Sequence, residues 1–461
     1  MKASSSLPKR KGIPLSGSSV KPFTIVAIGA SAGGLEAITQ LLQNLSSDTG
    51  MAYIYVQHLS PDHKSMLTEL LSKKTGMKVH EVENMEQMKP NRVYVIPYDK
   101  EIEVTNGHIR LIPRPKNKPT NLSIDVLFSS LALTHGANVI GIILSGNGSD
   151  GTRGLKEIKL AGGITFAQDD SAKSTSMPRS AVAEGVVDFV LSPKEMAKEI
   201  MLLSKHSGNS GKPVKTSAEE GIHMDDPDLK GILQQLHKRK NVDFSYYKLN
   251  TIRRRIWRRM LIQKAGTVKQ YAALIAKKNN ELDLLYRDLL INVTDFFRDP
   301  DAFMVLKKTV LPRLLNGKPA GETLRLWVAA CATGEEVYSL AILLIELQDS
   351  KTNNIPFQIF ASDLSAEAIR DARKGEYTAQ QLSGMSPKRL QRFFTKVKDK
   401  YRVSQHLRDV CIFAQHNILS DPPFSRMDFI SCRNFLIYLE QAAQKKAITT
   451  FHYALREGGC L

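Results

Sequence analysis

The chain twice repeats one rhythm, and that rhythm restricts its fold more than any other feature. A short apolar run ends on a small or polar residue and gives way to a helix-like stretch. Between Phe23 and Ser204 the runs are FTIVAIG, YIYVQH, RVYVIP, VIGIILSG, GGITFAQ and VVDFVL. From about Thr323 they return as LRLWVAA, FQIFASD, VCIFAQHN and MDFISCRN. Apolar strands alternating with helices imply largely parallel sheets covered by helices. Residues 227–300 instead space their apolar side chains three and four apart, the pattern of a small helical domain. Residues 205–226 are rich in Gly, Ser and Lys without periodicity and read as a linker, and residues 1–21 read as a flexible basic tail. The expected architecture is therefore α/β: a parallel-sheet domain over 22–204, the helical domain over 227–300, and a Rossmann-like domain over 301–461. The two α/β blocks share no repeat, which marks a fusion and not a duplication.

The first run ends in Gly29-Ala30-Ser31-Ala32-Gly33-Gly34 and enters the helix-like LEAITQLLQ. Gly-x-Ser-x-Gly at a strand-to-helix turn is the pattern of a nucleophile elbow, in which glycines permit a sharp turn and expose the serine hydroxyl. Serine needs a base to take its proton, and the base needs an acid to orient it. YIYVQ ends in His58, and VIGIILSG leads into Asn147-Gly148-Ser149-Asp150-Gly151. Carboxyl ends of parallel strands share one edge of a sheet, so Ser31, His58 and Asp150 are expected in one crevice. Taken singly, each residue has a plainer reading: Gly29–Gly34 as a phosphate-cradling turn with Ser31 as a helix cap, His58 as a loop histidine, Asp150 as a turn residue. The order Ser, His, Asp also differs from the Ser, Asp, His order of α/β-hydrolases.

GASAGG, VQHLSPDHKS, ILSGNGSDGTRG and FAQDDSAKSTSMPRSA, in that order, resemble the catalytic domain of the chemotaxis protein-glutamate methylesterase family, CheB. The likeness covers residues 23–204. It implies Ser31 as nucleophile, His58 as base and Asp150 as orienting acid, acting on glutamate γ-methyl esters of chemoreceptors, with glutamine deamidation as a further activity. Ala32 stands where the family usually has Ser or Thr, and Asn147 where it often has Met. Asp125, in SIDVLF, reads as structural. The stretch before the first run is short for a receiver domain, so the esterase is expected to work without control by aspartyl phosphorylation.

In the second block an apolar run is followed by Cys331-Ala332-Thr333-Gly334-Glu335-Glu336 and a helical pattern, and the next run ends in Asp363. A glycine turn lets a nucleotide-like ligand approach the backbone, and an acid at the next strand end can accept hydrogen bonds from ribose hydroxyls. GxGxxG is missing, which argues against NAD, and Asp363 alone also reads as a helix cap. INVTDFFRD, AACATGEEVYSLA, FASDLSAEAI with KGEY, and FISCRNFLIYL resemble the chemotaxis receptor methyltransferase family, CheR, from about Leu229 to the chain end. The likeness implies that S-adenosyl-L-methionine is held by Asn292, Thr294, Arg298, Glu336, Asp363, Asn417, Ile418, Asn434 and Phe435. Val337 stands where that family commonly has proline, and the family continues with further strands past the position of Leu461. No catalytic dyad is expected, since a glutamate carboxylate is ionised at neutral pH and attacks a sulfonium methyl unaided.

Tyr247–Lys264 carries seven basic and no acidic residues. On a helix Arg255, Arg258 and Arg259 share one side while Ile252, Ile256 and Met260 form an apolar stripe. The resemblance implies that these arginines bind the acidic methylation region of the receptor; a solvated basic face is the plainer alternative. A net charge of +18 suits an acidic partner. Without a nucleic-acid module or an aromatic stacking pattern, nucleic acid is not the expected partner. No apolar run approaches the roughly twenty residues of a membrane helix, and four dispersed cysteines suggest neither a metal site nor disulfides. The expectation is a cytoplasmic enzyme pair that adds and removes methyl groups on receptor glutamates. Its alternatives are another signalling protein as target, or a scaffold with an idle methyltransferase half.

Overall fold

Alternate residues of the first strand enter two different cores, which places that strand inside its sheet. In the computed structural model β1 (Ile25–Ala30) is buried along its whole length. Val26, Ile28 and Ala30 pack with Ile38, Leu41 and Ile200 on one face, and Ile25 and Ala27 pack with Leu127, Phe128 and Leu155 on the other. The period of two along the strand thus buries both faces, each large aliphatic side chain contributing roughly 1.5–3 kcal/mol. The structure describes residues 23–58, 66–105, 107–114, 122–206, 225–278, 280–290, 294–319, 321–349, 355–379, 381–382 and 384–461. The expected basic tail and most of the expected linker lie outside these.

The remaining strands of the first domain are β2 (Ala52–Gln57), β3 (Lys78–Glu81), β4 (Glu86–Gln87), β5 (Arg92–Val95), β6 (Lys100–Thr105), β7 (His108–Pro113), β8 (Val139–Ile143), β9 (Ile164–Gln168) and β10 (Phe189–Leu191). Seven form a parallel sheet in the order β10-β9-β8-β1-β2-β5-β3. Helices Gly34–Gln43 and Pro193–His206 cover one face, and Ser123–His135 and Thr152–Leu160 cover the other. A separate antiparallel sheet, β4-β7-β6, was not anticipated from the sequence. Its signal was present: Asn106-Gly107 separates two alternating segments, the commonest two-residue hairpin dipeptide pattern.

The helical domain comprises Pro227–Lys240, Leu249–Ile262, Val268–Lys277 and Glu281–Leu289. Asp226 caps the first helix, accepting from the amides of Asp228 at 2.8 Å and Leu229 at 3.4 Å, with Pro227 in the first turn. The core of this domain is continuous with one face of the next sheet, through Trp327, Ile430 and Phe451.

The last domain holds β11 (Leu324–Ala329), β12 (Phe357–Asp363), β13 (Glu376–Thr378), β14 (Phe394–Val397), β15 (Lys400–Val403), β16 (Cys411–Gln415), β17 (Met427–Ser431) and β18 (Leu455–Cys460). A parallel sheet runs β16-β12-β11-β17-β18, and β13-β15-β14 form a small antiparallel one. Helix Glu335–Gln348 is buried against the sheet face turned away from the helical domain. β18, at the far end of the chain, and the antiparallel sheet were not read in the sequence, because neither carries a continuous apolar run.

Helix Leu249–Ile262 corrects one expectation. Arg255, Arg258 and Arg259 do not form an exposed docking face; they are 5%, 1% and 7% exposed. Arg255 donates to the carbonyls of Lys159 (2.7 Å) and Leu160, acceptors in the last turn of a first-domain helix. Arg258 bridges Asp188 of the first domain and Asp288 of the helical domain. Arg259 makes a bidentate pair with Glu281 at 2.8 and 2.7 Å. The apolar stripe Ile252, Ile256 and Met260 is buried as expected. The helix is wedged between domains, so its basic side is consumed by internal acceptors.

Candidate active sites

The strand registers bring the first set of expected residues to one edge. Ala30 pairs with Gln57 and Gly29 with Ile143, so the chain leaves β1, β2 and β8 at the same end of the sheet. The Ser31 amide donates to the Ser145 carbonyl at 2.9 Å, and the His58 amide to the Ala30 carbonyl at 3.1 Å. Gly33 sits at φ +79°, and a Cβ there would lie 2.6 Å from Ser145 Oγ and 2.9 Å from Lys173 Cβ, so only glycine closes this turn. Ser31 and His58 line one shallow pocket.

His58 Nε2 lies 2.7 Å from Asp150 Oδ2. A carboxylate only accepts, so Nε2 carries the proton and Nδ1 remains the basic nitrogen. Asp150, 5% exposed, also accepts from the amides of Ile124 at 3.0 Å and Asp125 at 2.9 Å. These belong to the first turn of helix Ser123–His135, whose dipole favours a negative charge there. Asp125 returns the arrangement: its carboxyl accepts from the Gly154 amide at 2.7 Å, in the first turn of the helix that follows Asp150. Burial, followed by the neighbouring Asp150 charge, pushes Asp125 up to about 8.

Several supporting residues escaped the sequence reading. Ser145 donates to the Ala32 carbonyl at 2.7 Å and accepts from the Ser174 amide at 2.9 Å, while Gln168 accepts from the Ser145 amide at 2.9 Å. Ser176 Oγ accepts from the Gly148 amide at 2.7 Å. The motif FAQDDSAKSTSMPRSA was the available signal, since it supplies Gln168, Ser174 and Ser176. The loop just after His58, residues 59–65, lies outside the described residues.

In the second site β11 enters a turn with Ala330 at φ +57°, Ala332 at +47° and Gly334 at +94°. Alanines in the left-handed region are strained; the turn is held by the Ala332 amide, which donates to Asp363 Oδ2 at 2.9 Å. The Ser365 amide donates to Asp363 Oδ1 at 2.8 Å. Asp363 is 7% exposed, and burial raises its pKa against the pull of these amides. A cavity beside it is lined by Asp363, Asn417, Ile418, Asn434 and Phe435. Five of the nine expected cofactor residues therefore converge.

Of the other four, the three described residues do not line that cavity. Glu336 is buried nearby and accepts from Ser431 Oγ at 2.5 Å, its pKa raised by desolvation. Thr294 is buried, Arg298 lines a neighbouring cleft between domains, and Asn292 lies outside the described residues. The sequence reading missed Tyr247, Leu289 and Leu290, which the helical domain contributes to the wall, together with His416, Arg433 and Tyr438. Among the described residues, His416 Nδ1 and Arg433 Nη1 are buried without a hydrogen-bond partner, though Arg433 Nη1 lies 3.6 Å from the Glu336 carboxylate. Unsatisfied buried polar atoms are costly, and here they line a cavity that also offers a carboxylate, two asparagines and an apolar wall. That donor set fits an adenosyl amino acid.

Known proteins divide along the same domains. The model for CheB methylesterase matches residues 26–200, that for the all-alpha domain of CheR methyltransferase matches 227–290, and that for its SAM binding domain matches 292–461. A chemotaxis protein methyltransferase of Listeria innocua is 32% identical over 220 residues, 48% of this chain and 82% of its own length. A protein-glutamate methylesterase/protein-glutamine glutaminase of Photorhabdus laumondii is 39% identical over 182 residues, 38% of this chain and 52% of that protein. An uncharacterized 104.1 kDa protein of Rhodobacter capsulatus is 35% identical over 413 residues, 86% of this chain and 43% of its own length. Among solved structures, the Thermotoga maritima CheB methylesterase catalytic domain is 29% identical, covers 39% of this chain and 98% of its own, and has a TM-score of 0.37. Fold and family matches together define a fusion of a CheB-type methylesterase domain and a CheR-type methyltransferase unit. The chain belongs to the CheR chemotaxis methyltransferase family and carries a CheB-type methylesterase domain ahead of the methyltransferase. It spans 43% and 52% of the lengths of two of these relatives. Among the described residues, no helix is long and apolar enough to cross a membrane.

Proposed function

We propose that the chain both hydrolyses and forms glutamate γ-methyl esters on a chemoreceptor facing the cytoplasm. The observation that carries the esterase half is the 2.7 Å contact of His58 with an Asp150 already fixed by two amides, at the sheet edge that bears Ser31. His58 Nδ1 takes the Ser31 proton as Ser31 Oγ bonds to the ester carbonyl carbon. Asp150 stabilises the imidazolium, which then protonates departing methanol. Water, deprotonated by the same nitrogen, releases the glutamate carboxylate and restores Ser31. Replacing methanol by ammonia as leaving group gives glutamine deamidation, the second activity in the Photorhabdus laumondii relative's name.

S-adenosyl-L-methionine, when bound, supplies an electrophilic methyl group. Asp363, Asn417 and Asn434 would hold its polar groups, and Ile418 and Phe435 would supply apolar wall. Tyr247, Leu289 and Leu290 exclude water from above, which strengthens every polar contact beneath them. No side chain here must move a proton, because the acceptor carboxylate is already ionised. The test is mass spectrometry of a methyl-accepting receptor fragment incubated with the chain. Cofactor should add 14-Da increments at glutamates, and the chain without cofactor should remove them with methanol release. A receptor unchanged in both directions refutes the reading.

A further inference from the structure

A cleft of about 980 Å³ lies where the three domains meet. One wall belongs to the methylesterase domain, with Leu133 on helix Ser123–His135 and Arg153 on helix Thr152–Leu160. Another is the segment entering the methyltransferase domain, with Phe296, Phe297 and Met304. Arg153 joins the two walls through Asp295 at 3.4 Å. Helix Leu249–Ile262 adds Thr251 and the exposed Arg254.

This cleft opens beside the cofactor cavity. Tyr438 lines both. Arg433, from the cavity wall, donates to the Arg298 carbonyl at 2.7 Å and to the Asp299 carboxylate at 2.6 Å, and both acceptor residues line the cleft. The volume is at the upper end of the roughly 300–1,000 Å³ of small-molecule pockets, and the site is open, which suits a chain segment better than a metabolite. Apart from Arg255, which is spent on internal carbonyls, the described lining residues include five basic (Arg153, Arg254, Arg298, Lys307, Arg389) and three acidic (Glu157, Asp295, Asp299) side chains; Lys307 and Arg389 share Glu346, and the remaining surplus favours an acidic occupant. Leu133 is 87% exposed and Met304 48%, an apolar component that the fold itself leaves uncovered.

We propose that the methyl acceptor docks in this cleft as an acidic amphipathic helix, and that the methylesterase domain forms part of the docking site for the methyltransferase. Leucines of such a helix meet Leu133 and Met304, its glutamates meet the basic rim, and one glutamate reaches the cavity past Tyr438. The inference rests on the cofactor-cavity reading above and extends it to the neighbouring domain.

The test uses the whole chain and a fluorescein-labelled synthetic helix with leucines on one face and glutamates on the other, followed by anisotropy. Leu133→Glu and Arg254→Glu should each weaken peptide binding on the order of tenfold, the Arg254 effect shrinking at high salt. Both variants should keep wild-type S-adenosyl-L-methionine affinity and wild-type hydrolysis of a small methyl ester, which shows that they fold. Unchanged peptide affinity in both variants, no peptide binding to the wild type, or equal competition by a single-stranded oligonucleotide of the same charge each overturns the proposal. Failure of the wild type to bind S-adenosyl-L-methionine would instead overturn the reading of the cavity.

Discussion

Arg258→Ala should uncouple the methylesterase domain from the rest of the chain. The side chain is 1% exposed, and its guanidinium spans Asp188 of one domain, 3% exposed, and Asp288 of the other, 15% exposed. Removing one member of a buried ion pair costs about 3–5 kcal/mol because the remaining charge stays buried. Here the cost falls at the low end. Asp188 keeps Lys159 Nζ at 3.2 Å and the amide and hydroxyl of Thr165 at 3.0 Å each, and Asp288 is open enough to take up water. About 3 kcal/mol remains, a factor of roughly 150 in the docking equilibrium. The chain's two tryptophans are Trp257, in the wedged helix, and Trp327, in β11, so fluorescence reports the second half while ester hydrolysis reports the first. In urea the two signals should coincide for the wild type and separate for Arg258→Ala, a departure from two-state behaviour that diagnoses lost coupling. Asp188→Ala should overlap with Arg258→Ala, leaving a coupling energy of about 1–3 kcal/mol in the double mutant. Effects that add to within roughly 0.5 kcal/mol, or coincident transitions in Arg258→Ala, would refute the bridge as the element joining the domains.

Ser31→Ala should abolish methanol release while leaving calorimetric binding of S-adenosyl-L-methionine intact, and wild-type release would remove Ser31 from its role. Asp363→Ala should weaken that binding by about 1.5–3 kcal/mol, the scale for losing a charged acceptor; an unchanged dissociation constant would move the site. Asp125 carries a pH signature: burial lifts it from 3.8 to about 8, so between those values the folded domain holds a proton that the unfolded chain lacks. Its contribution to stability therefore falls as pH rises from about 4 to about 8, and Asp125→Asn should flatten the melting temperature across that window. Identical slopes for mutant and wild type would show that another group governs the dependence.

The apolar runs and the residues that end them are legible in sequence because strand burial is a local pattern. Each of the four runs from Thr323 onward is a strand of the second sheet, and Asp363 lies at the end of one of them. The pattern of strand ends alone groups Ser31, His58 and Asp150, since parallel strands deliver their carboxyl ends to one edge. The cofactor cavity is only half legible. Asp363, Asn417 and Asn434 follow strand ends, but Tyr247 and Leu289 reach the same cavity from another domain, and no periodicity encodes that distance. The basic helix shows the limit most clearly. An acid-free run of seven cations determines that acceptors must be found for them, not where those acceptors lie. Tertiary packing set helix Leu249–Ile262 against three carbonyls and an aspartate of the first domain, because burying a guanidinium is tolerable only where a carboxylate or backbone carbonyls meet it. Local spacing decided which residues form each element, while the partners of Arg255 and Arg258 were decided by which surfaces the two domains brought together.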